Sequence, residues 1–386
     1  MSQPNILGAA RASGSSRRTV LAALLAAAIL VVPSVVGTER AHAAAPPRDF
    51  MGVTSWGTLT DSDLARLADS NVRLYRMLVA WNKVEVRPPL PDGTHLYRWA
   101  YYDAIFRRAA RHGVRILPIL HGSPKWVAFR PQLQPRSEFT KKAFDDFAKA
   151  AAERYGPNGI LWTRSPWSST SPAPASVRPT YWQVWNEANT PTNWSPGPRP
   201  REYAAMVVRV SRALKQASPS VRVVAAGLVW PSRGMFPERY VATMLSVPGV
   251  RRAVDVFAFH PYAKLVINVM QLVGSARGTL NANGAAAKPM WITETGWATG
   301  TYDGSFFVSE AAQARNVDEL YRKLLSVRRS YKLVGATWFS YKDRAGATPR
   351  NAPYAKYWGF YSGLLRRDGR PKPSWRVFSD RALHGY

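Results

Sequence analysis

Two short apolar runs in this chain each end on a glutamate beside tryptophan. One is Tyr181-Trp182-Gln183-Val184-Trp185-Asn186-Glu187, the other Met290-Trp291-Ile292-Thr293-Glu294-Thr295-Gly296-Trp297. Both are rich in strand formers and too short for a confident helix. Taken alone, either glutamate reads equally well as a solvated strand end or as a cap on the next helix. Two such acids on two such runs point instead to a pair facing one cleft. Opposed carboxylates do acid–base and nucleophilic work when one holds a proton and the other is ionised. Cleavage of a glycosidic bond needs that combination. A protonated acid donates to the leaving oxygen, and an ionised one attacks the anomeric carbon or activates water.

These acids must be positioned by the elements around them. From residue 50 the chain alternates strand-like and helix-like stretches. Strands are expected over Phe50–Thr54, Val72–Val79, Val114–Leu120, the run ending at Glu187, Val221–Leu228, Val254–His260, Pro289–Thr293 and Val334–Tyr341. Helices are expected over Asp61–Ser70, Trp99–Arg111, Phe139–Tyr155, Arg201–Ala217, Glu238–Ser246, Leu265–Leu280, Ser309–Ser330 and Ser374–Asp380. Asp61 is placed to cap the first helix. Eight strand–helix units over this length predict a single α/β domain, a (β/α)8 TIM barrel of parallel strands joined by right-handed crossovers. A doubly wound sheet is the rival. It usually carries a Gly-rich phosphate turn after the first strand, where this chain has Ser55-Trp56-Gly57-Thr58.

In such a barrel the C-terminal ends of all strands share one rim, and active sites sit there. The rim residues on this reading are Arg76, His121, Asn186, Glu187, His260, Tyr262, Glu294 and Trp338, with Trp81, Trp297 and Tyr341 close by. A cleft lined with tryptophan and tyrosine suits sugar rings, whose C–H faces lie on aromatic planes. Each residue also has a plainer reading. Arg76 could pair with a structural carboxylate, the histidines could be hydrogen-bonded rim residues, and at least one of Trp81, Trp126 and Trp297 could be wall packing. Asp303 and Asp343 read as solvated loop acids. The six histidines show no metal-ligand spacing, so neither metal nor cofactor is expected.

The ordered set of motifs resembles the retaining (β/α)8 glycoside hydrolases of clan A, families 5 and 39 in particular. Trp185-Asn186-Glu187 and Ile292-Thr293-Glu294-Thr295-Gly296-Trp297 resemble the paired glutamate motifs. Arg76 with Trp81, then Glu85, Tyr97-Arg98-Trp99 and Asp103, resemble the segment after strand two. Phe259-His260-Pro261-Tyr262, Trp338 and Lys372-Pro373-Ser374 resemble the strand-six, strand-eight and tail segments. Ala188 stands where family 5 often has proline, which leans toward a branch like family 39 or one outside both families. The resemblance implies Glu187 as acid/base and Glu294 as nucleophile. It implies Asn186 on a sugar 2-hydroxyl, and Arg76 and Tyr262 holding Glu294 ionised. His121 and His260 would bond substrate or orient the glutamates, and Trp338 would floor the −1 subsite. Glu187 needs the opposite treatment from Glu294, since it must carry a proton to donate; partial burial and the charge of Glu294 favour that. A transglycosylase would use the same residues, with a sugar replacing water. A non-catalytic glycan-binding barrel would not need two opposed acids.

Composition narrows the setting. The chain has 386 residues, 46% hydrophobic, with no cysteine and a formal charge of +29. No disulfide framework, thiolate metal site or cysteine nucleophile is therefore available. The basic residues are scattered rather than gathered into an aromatic-interleaved patch, which argues against a nucleic-acid binder; compositional drift toward arginine accounts for the charge more readily than weak association with an anionic cell envelope or acidic glycans. Ser16-Arg17-Arg18-Thr19-Val20-Leu21, the apolar run Val20 to Val32 and Ala41-His42-Ala43 read as a twin-arginine-like export signal over residues 1–43 with a small-x-small cleavage site. The catalytic domain would then be residues 44–386, secreted or on the cell envelope, with no membrane span in the mature chain.

Overall fold

The computed structural model describes residues 47–300, 306–344 and 357–385. The expected export signal and Asp303 lie outside the described residues. The chain opens with strand β1 (Met51–Thr54), helix α1 (Asp61–Asp69), β2 (Leu74–Ala80), the one-turn helix α2 (Trp81–Val84), α3 (Ala100–Arg111) and β3 (Arg115–His121). It continues through α4 (Glu138–Tyr155), β4 (Tyr181–Val184), α5 (Pro200–Ala217), β5 (Arg222–Val224), β6 (Leu228–Val229), α6 (Pro237–Leu245) and the short α7 (Val250–Ala253). Then come β7 (Phe257–His260), α8 (Val266–Ala282), β8 (Met290–Thr295), β9 (Ala298–Thr299), β10 (Phe307–Val308), α9 (Glu310–Val327), β11 (Leu333–Phe339) and α10 (Pro373–His384).

Nine strand segments pair in parallel in the order β5-β4-β3-β2-β1-β11-β8-β7-β6. The two end segments are pieces of one barrel position. β5 pairs with β4 and β6 with β7, and only Ala225 to Gly227 separate them. The Val224–Val256 bridge and the bond from Ala225 N to Val256 O join the edges. The sheet therefore closes into eight positions, the expected (β/α)8 barrel. β9 and β10 form a small separate pair.

Parallel strands covered on both faces read as near-continuous apolar runs, and β3 and β8 are buried almost throughout. Inside the barrel, Leu74, Leu117, Val224, Val256, Ala258 and Trp291 make one cluster. A larger cluster fills the layer between strands and helices, for example Phe144, Phe147, Trp182, Val207, Leu320 and Ala336. The larger aliphatic and phenylalanine side chains among them contribute about 1.5–3 kcal/mol each on burial. Among the described residues no helix is long and apolar enough to cross a membrane.

Three local expectations are corrected. Thr60, not Asp61, caps α1. Its hydroxyl accepts from Asp63 N while the Asp63 carboxylate accepts from Thr60 N, a reciprocal capping box. The fifth strand is interrupted rather than continuous to Leu228. Ala226 N turns to the Tyr203 hydroxyl and Gly227 O accepts from Glu187 N, so this stretch leaves the ladder. The seventh strand runs on to Thr295, which places Glu294 within it.

Candidate active site

Glu187 and Glu294 arrive at the C-terminal rim from opposite parts of the barrel. Glu294 is the fifth residue of β8, with its side chain mostly buried. Glu187 lies three residues beyond β4, in a turn that bends sharply. Trp185 has φ 67° and Glu187 φ 45°, both left-handed. Non-glycine residues there cost of order 1–3 kcal/mol and persist only where the surroundings over-determine them. Here Trp185 N bonds to Leu120 O, the Trp185 indole to Asn193 O, and Glu187 N to Gly227 O. The turn brings one carboxylate oxygen of Glu187, one of Glu294 and a ring nitrogen of His260 within 4.8 Å of one another.

Arg76, on β2 and 1% exposed, organises the floor. Its Nη1 donates to Glu294 Oε1 at 2.6 Å, its Nη2 to Asn186 Oδ1 at 2.7 Å, and its Nε to Gln183 Oε1 at 2.9 Å. Tyr262, just past β7, donates its hydroxyl to Glu294 Oε2 at 2.9 Å. Burial is the largest influence on Glu294 and pushes its carboxyl up. The positive character of His260 and Arg76, with the hydrogen bonds from Arg76 and Tyr262, outweighs it and holds the group below its ordinary range. Removal from water, then the charge of Glu294, drives the Tyr262 phenol well up, so it stays a donor.

His260 sits between the acids and is fully buried. Its Nδ1 lies 2.9 Å from Glu187 Oε1 and 3.7 Å from Glu294 Oε2, and its Nε2 lies 3.0 Å from the Thr293 hydroxyl. Its two ring nitrogens thus hydrogen-bond Glu187 on one side and the Thr293 hydroxyl on the other. Asn193 Nδ2 reaches the other oxygen of Glu187 at 3.4 Å. Asn186 keeps its Nδ2 without a partner among the described residues, so its donor is available to a hydroxyl of a bound sugar.

Glu187, His260 and Glu294 are also spaced as metal ligands could be. Arg76 already occupies one Glu294 oxygen with a fixed positive charge. A second cation at the same oxygen would be repelled, so this set suits acid–base work better than metal binding.

Two assignments change. Trp338 does not floor the cleft. It is fully buried in the layer facing the helices, with its indole N–H on Ser362 O and its ring 6.0 Å from Trp297. Its neighbour Phe339 points the other way, to Trp56 at 5.2 Å and Trp358 at 5.9 Å. His121 does not hold either glutamate. Its ring packs 4.3 Å from Trp185, its Nε2 has no partner among the described residues, and burial followed by the Arg76 charge pushes it down to about 3. It is a neutral imidazole.

Trp81 and Trp297 are wall packing, fully buried with their indoles on Glu85 and Lys264 O. Trp126 is only partly buried. Asp343 is no solvated loop acid, since it pairs with the buried Lys372 at 2.8 Å and accepts from Gly363 N. Several residues at the rim were not singled out from sequence. Trp56, Phe339 and Trp358 form a run of ring contacts that ends on Tyr262, itself expected from the sequence, and through it on Glu294. Tyr357 is within electrostatic reach of both acids; removal from water, then Glu187 and Glu294, push its phenol up. The aromatic content of the segment after the last strand was the available signal.

No protein-family profile matches this chain, and no curated protein matches it in sequence. Solved structures do match its fold. One is a family 39 glycoside hydrolase from the gut symbiont Bacteroides cellulosilyticus WH2, at TM-score 0.64 and 19% identity over 88% of this chain and 65% of that one. The present chain thus spans just under two thirds of that protein's length. A monomeric β-xylosidase from Caulobacter crescentus CB15 aligns at TM-score 0.61 and 19% identity, covering 88% of this chain and 69% of that one. Xylanase 10B from Thermotoga petrophila RKU-1 aligns at TM-score 0.56 and 13% identity, covering 87% and 94%. At these identities the likeness establishes a shared barrel, the architecture of glycoside hydrolases of families 39 and 10.

Proposed function

We propose that the protein is an exported glycoside hydrolase that cleaves β-O-glycosidic bonds of an oligo- or polysaccharide with retention. The observation that carries this is the closeness of Glu187 and Glu294, whose nearest oxygens lie within 4.8 Å. Retention goes with carboxyl groups about 5–5.5 Å apart and inversion with about 6.5–9.5 Å, and so close an approach of single oxygens favours the shorter class. The barrel neighbours named as glycoside hydrolases, β-xylosidase and xylanase support the same reaction class.

In the first step Glu187 gives its proton to the leaving oxygen while ionised Glu294 attacks the anomeric carbon. The C–O bond to the leaving group breaks as the glycosyl ester forms. Water then enters, Glu187 takes its proton, and the hydroxyl displaces Glu294. Arg76 and Tyr262 hold Glu294 as an anion for attack and as a leaving group afterwards. His260 positions Glu187, and the Asn186 donor is offered to the sugar in the −1 subsite. Residues 44–386 would form the catalytic domain after removal of the signal, secreted or on the envelope.

The test is anomer formation from aryl β-glycosides followed by NMR, with Glu294→Ala as the partner variant. Retention in the wild type, and loss of turnover in the variant with azide rescue to an inverted glycosyl azide, are expected. Undiminished turnover in Glu294→Ala would end this reading.

A further inference from the structure

A cavity lies beside the segment that follows Glu187. It holds about 350 Å³ between the N-terminal halves of α4 and α5, roofed by the segments that precede them. Four cationic side chains line it: Arg136, Lys141, Arg199 and Arg209. The one acid in the lining is Glu202. Lys141, Arg199 and Arg209 have carboxylate neighbours in Glu138, Glu202 and Asp145 at 2.6–2.9 Å. Arg136 has none among the described residues and donates only to Ser195 O. Burial pushes Asp145 up to about 6, so the acid facing Arg209 loses charge in mildly acidic solution and the excess of positive charge grows.

The cavity is built rather than incidental. Gln134 clamps the Ser195 peptide from both sides, Nε2 to O at 2.7 Å and Oε1 from N at 3.1 Å, and is 4% exposed. Trp194, 1% exposed and part of the lining, keeps an indole N–H without an acceptor among the described residues. A buried donor of this kind is costly unless something accepts from it.

Position gives the cavity a role. Asn193 reaches Glu187, while Trp194 and Ser195 line the cavity, so one short segment has the proton donor on one side and the cavity on the other. Two peptide steps, at most about 7.6 Å of chain, separate Asn193 from Ser195. Glu187 serves the leaving-group side of the bond in the mechanism above.

We propose that this cavity receives an anionic substituent, a carboxylate or a sulfate ester, carried by the leaving-group portion of the glycan, and that the natural substrate is an acidic glycan. This rests on the glycosidase reading for its biological sense, but the binding itself does not require Glu187 or Glu294 to act. The probes are methyl β-glucuronide, methyl β-glucoside and inorganic sulfate, titrated calorimetrically into the full-length protein at low salt. The variants are Arg199→Glu, in the cavity, and Arg201→Glu, an exposed neighbour outside the lining that makes the same change in net charge.

The glucuronide or sulfate should bind where the glucoside does not. Arg199→Glu should weaken the charged probe roughly fivefold or more, and Arg201→Glu should leave it unchanged. Binding of the glucuronide alone selects a uronate, and of sulfate alone a sulfate ester. Absence of binding by either charged probe, or equal weakening by the two variants, overturns the proposal. Turnover of a neutral aryl β-glycoside by the wild type and Arg201→Glu is read separately. If that turnover is absent while charged probes bind, the glycosidase reading fails and the anion site stands.

Discussion

The Nη1 of Arg76 lies 2.6 Å from Oε1 of Glu294, an ion pair made across the barrel between β2 and β8 with the arginine 1% exposed. The same guanidinium holds Asn186 and Gln183. One cation therefore fixes the proposed nucleophile, a proposed substrate ligand and the end of β4 together. Arg76→Ala leaves a buried carboxylate without its partner, which costs about 3–5 kcal/mol. Arg76→Lys is not conservative, because one ammonium cannot reproduce three bonds from a planar fork. Both variants should lose kcat by at least about a hundredfold. Chemical denaturation and initial rates measure the two losses. Near-normal rates in Arg76→Lys would contradict the geometry.

Tyr262 is the second support of Glu294. The folded-state carboxyl of Glu294 is depressed from an ordinary value of 4.5, so its ionisation stabilises the fold above that value, and the contribution is lost as pH falls through the lower folded value. Tyr262→Phe removes one hydrogen bond to a charged acceptor, about 1.5–3 kcal/mol, which is about one to two pH units. The acid limb of kcat/KM should move up by that order. The acid-side loss of stability from this carboxyl, which starts near the unfolded value of 4.5 in both proteins, should be smaller in the variant. An unmoved limb would mean the hydroxyl does not hold the anion.

Much of this site was legible in the sequence for a simple reason. Glu187, Glu294, His260 and Tyr262 sit at or just past strand ends, and strand ends of a barrel share one rim, while Arg76, the third residue of β2, reaches that rim with its long side chain. Position along the chain was enough to bring them together. What depended on side-chain direction was not legible. Trp338 and Phe339 are adjacent, and a one-residue shift in a strand reverses which face a side chain takes. The β11–β8 ladder has register shifts at Leu333/Gly335 and Ala336/Trp338, so simple alternation could not decide between the two rings. Asp343 was misread because its partner Lys372 is far off in sequence, and Thr60 was overlooked because Asp61, beside it, is an equally favoured type of N-cap residue.

Gly227 offers a test of the link between β5–β6 and the acids. A Cβ there would lie 1.9 Å from His260 Nε2, while its carbonyl accepts from Glu187 N. Gly227→Ala must displace the imidazole that positions Glu187. Overpacking of this kind costs about 1–3 kcal/mol, and kcat should drop at least tenfold through the misplaced acid. The double variant with His260→Ala should regain much of the lost stability but not the activity, a non-additive pair. Additive stability losses would show that the two residues do not collide.

His121 carries the last prediction. It is 7% exposed and held neutral, with its ring against Trp185 and its titration pushed down to about 3 by burial and then by Arg76. The unfolded chain takes up this proton near the ordinary value of 6.5, the folded protein only near 3. Between those values the unfolded state binds more protons, so stability falls as pH falls, by up to about 1.4 kcal/mol per unit from this group. His121→Phe keeps an aromatic ring beside Trp185 and removes the titration. Its melting temperature should fall less steeply than that of the wild type between pH 6.5 and 3, with the two curves converging in shape above pH 7. Parallel curves across the whole acid range would show that His121 takes its proton in the folded protein and is not held neutral.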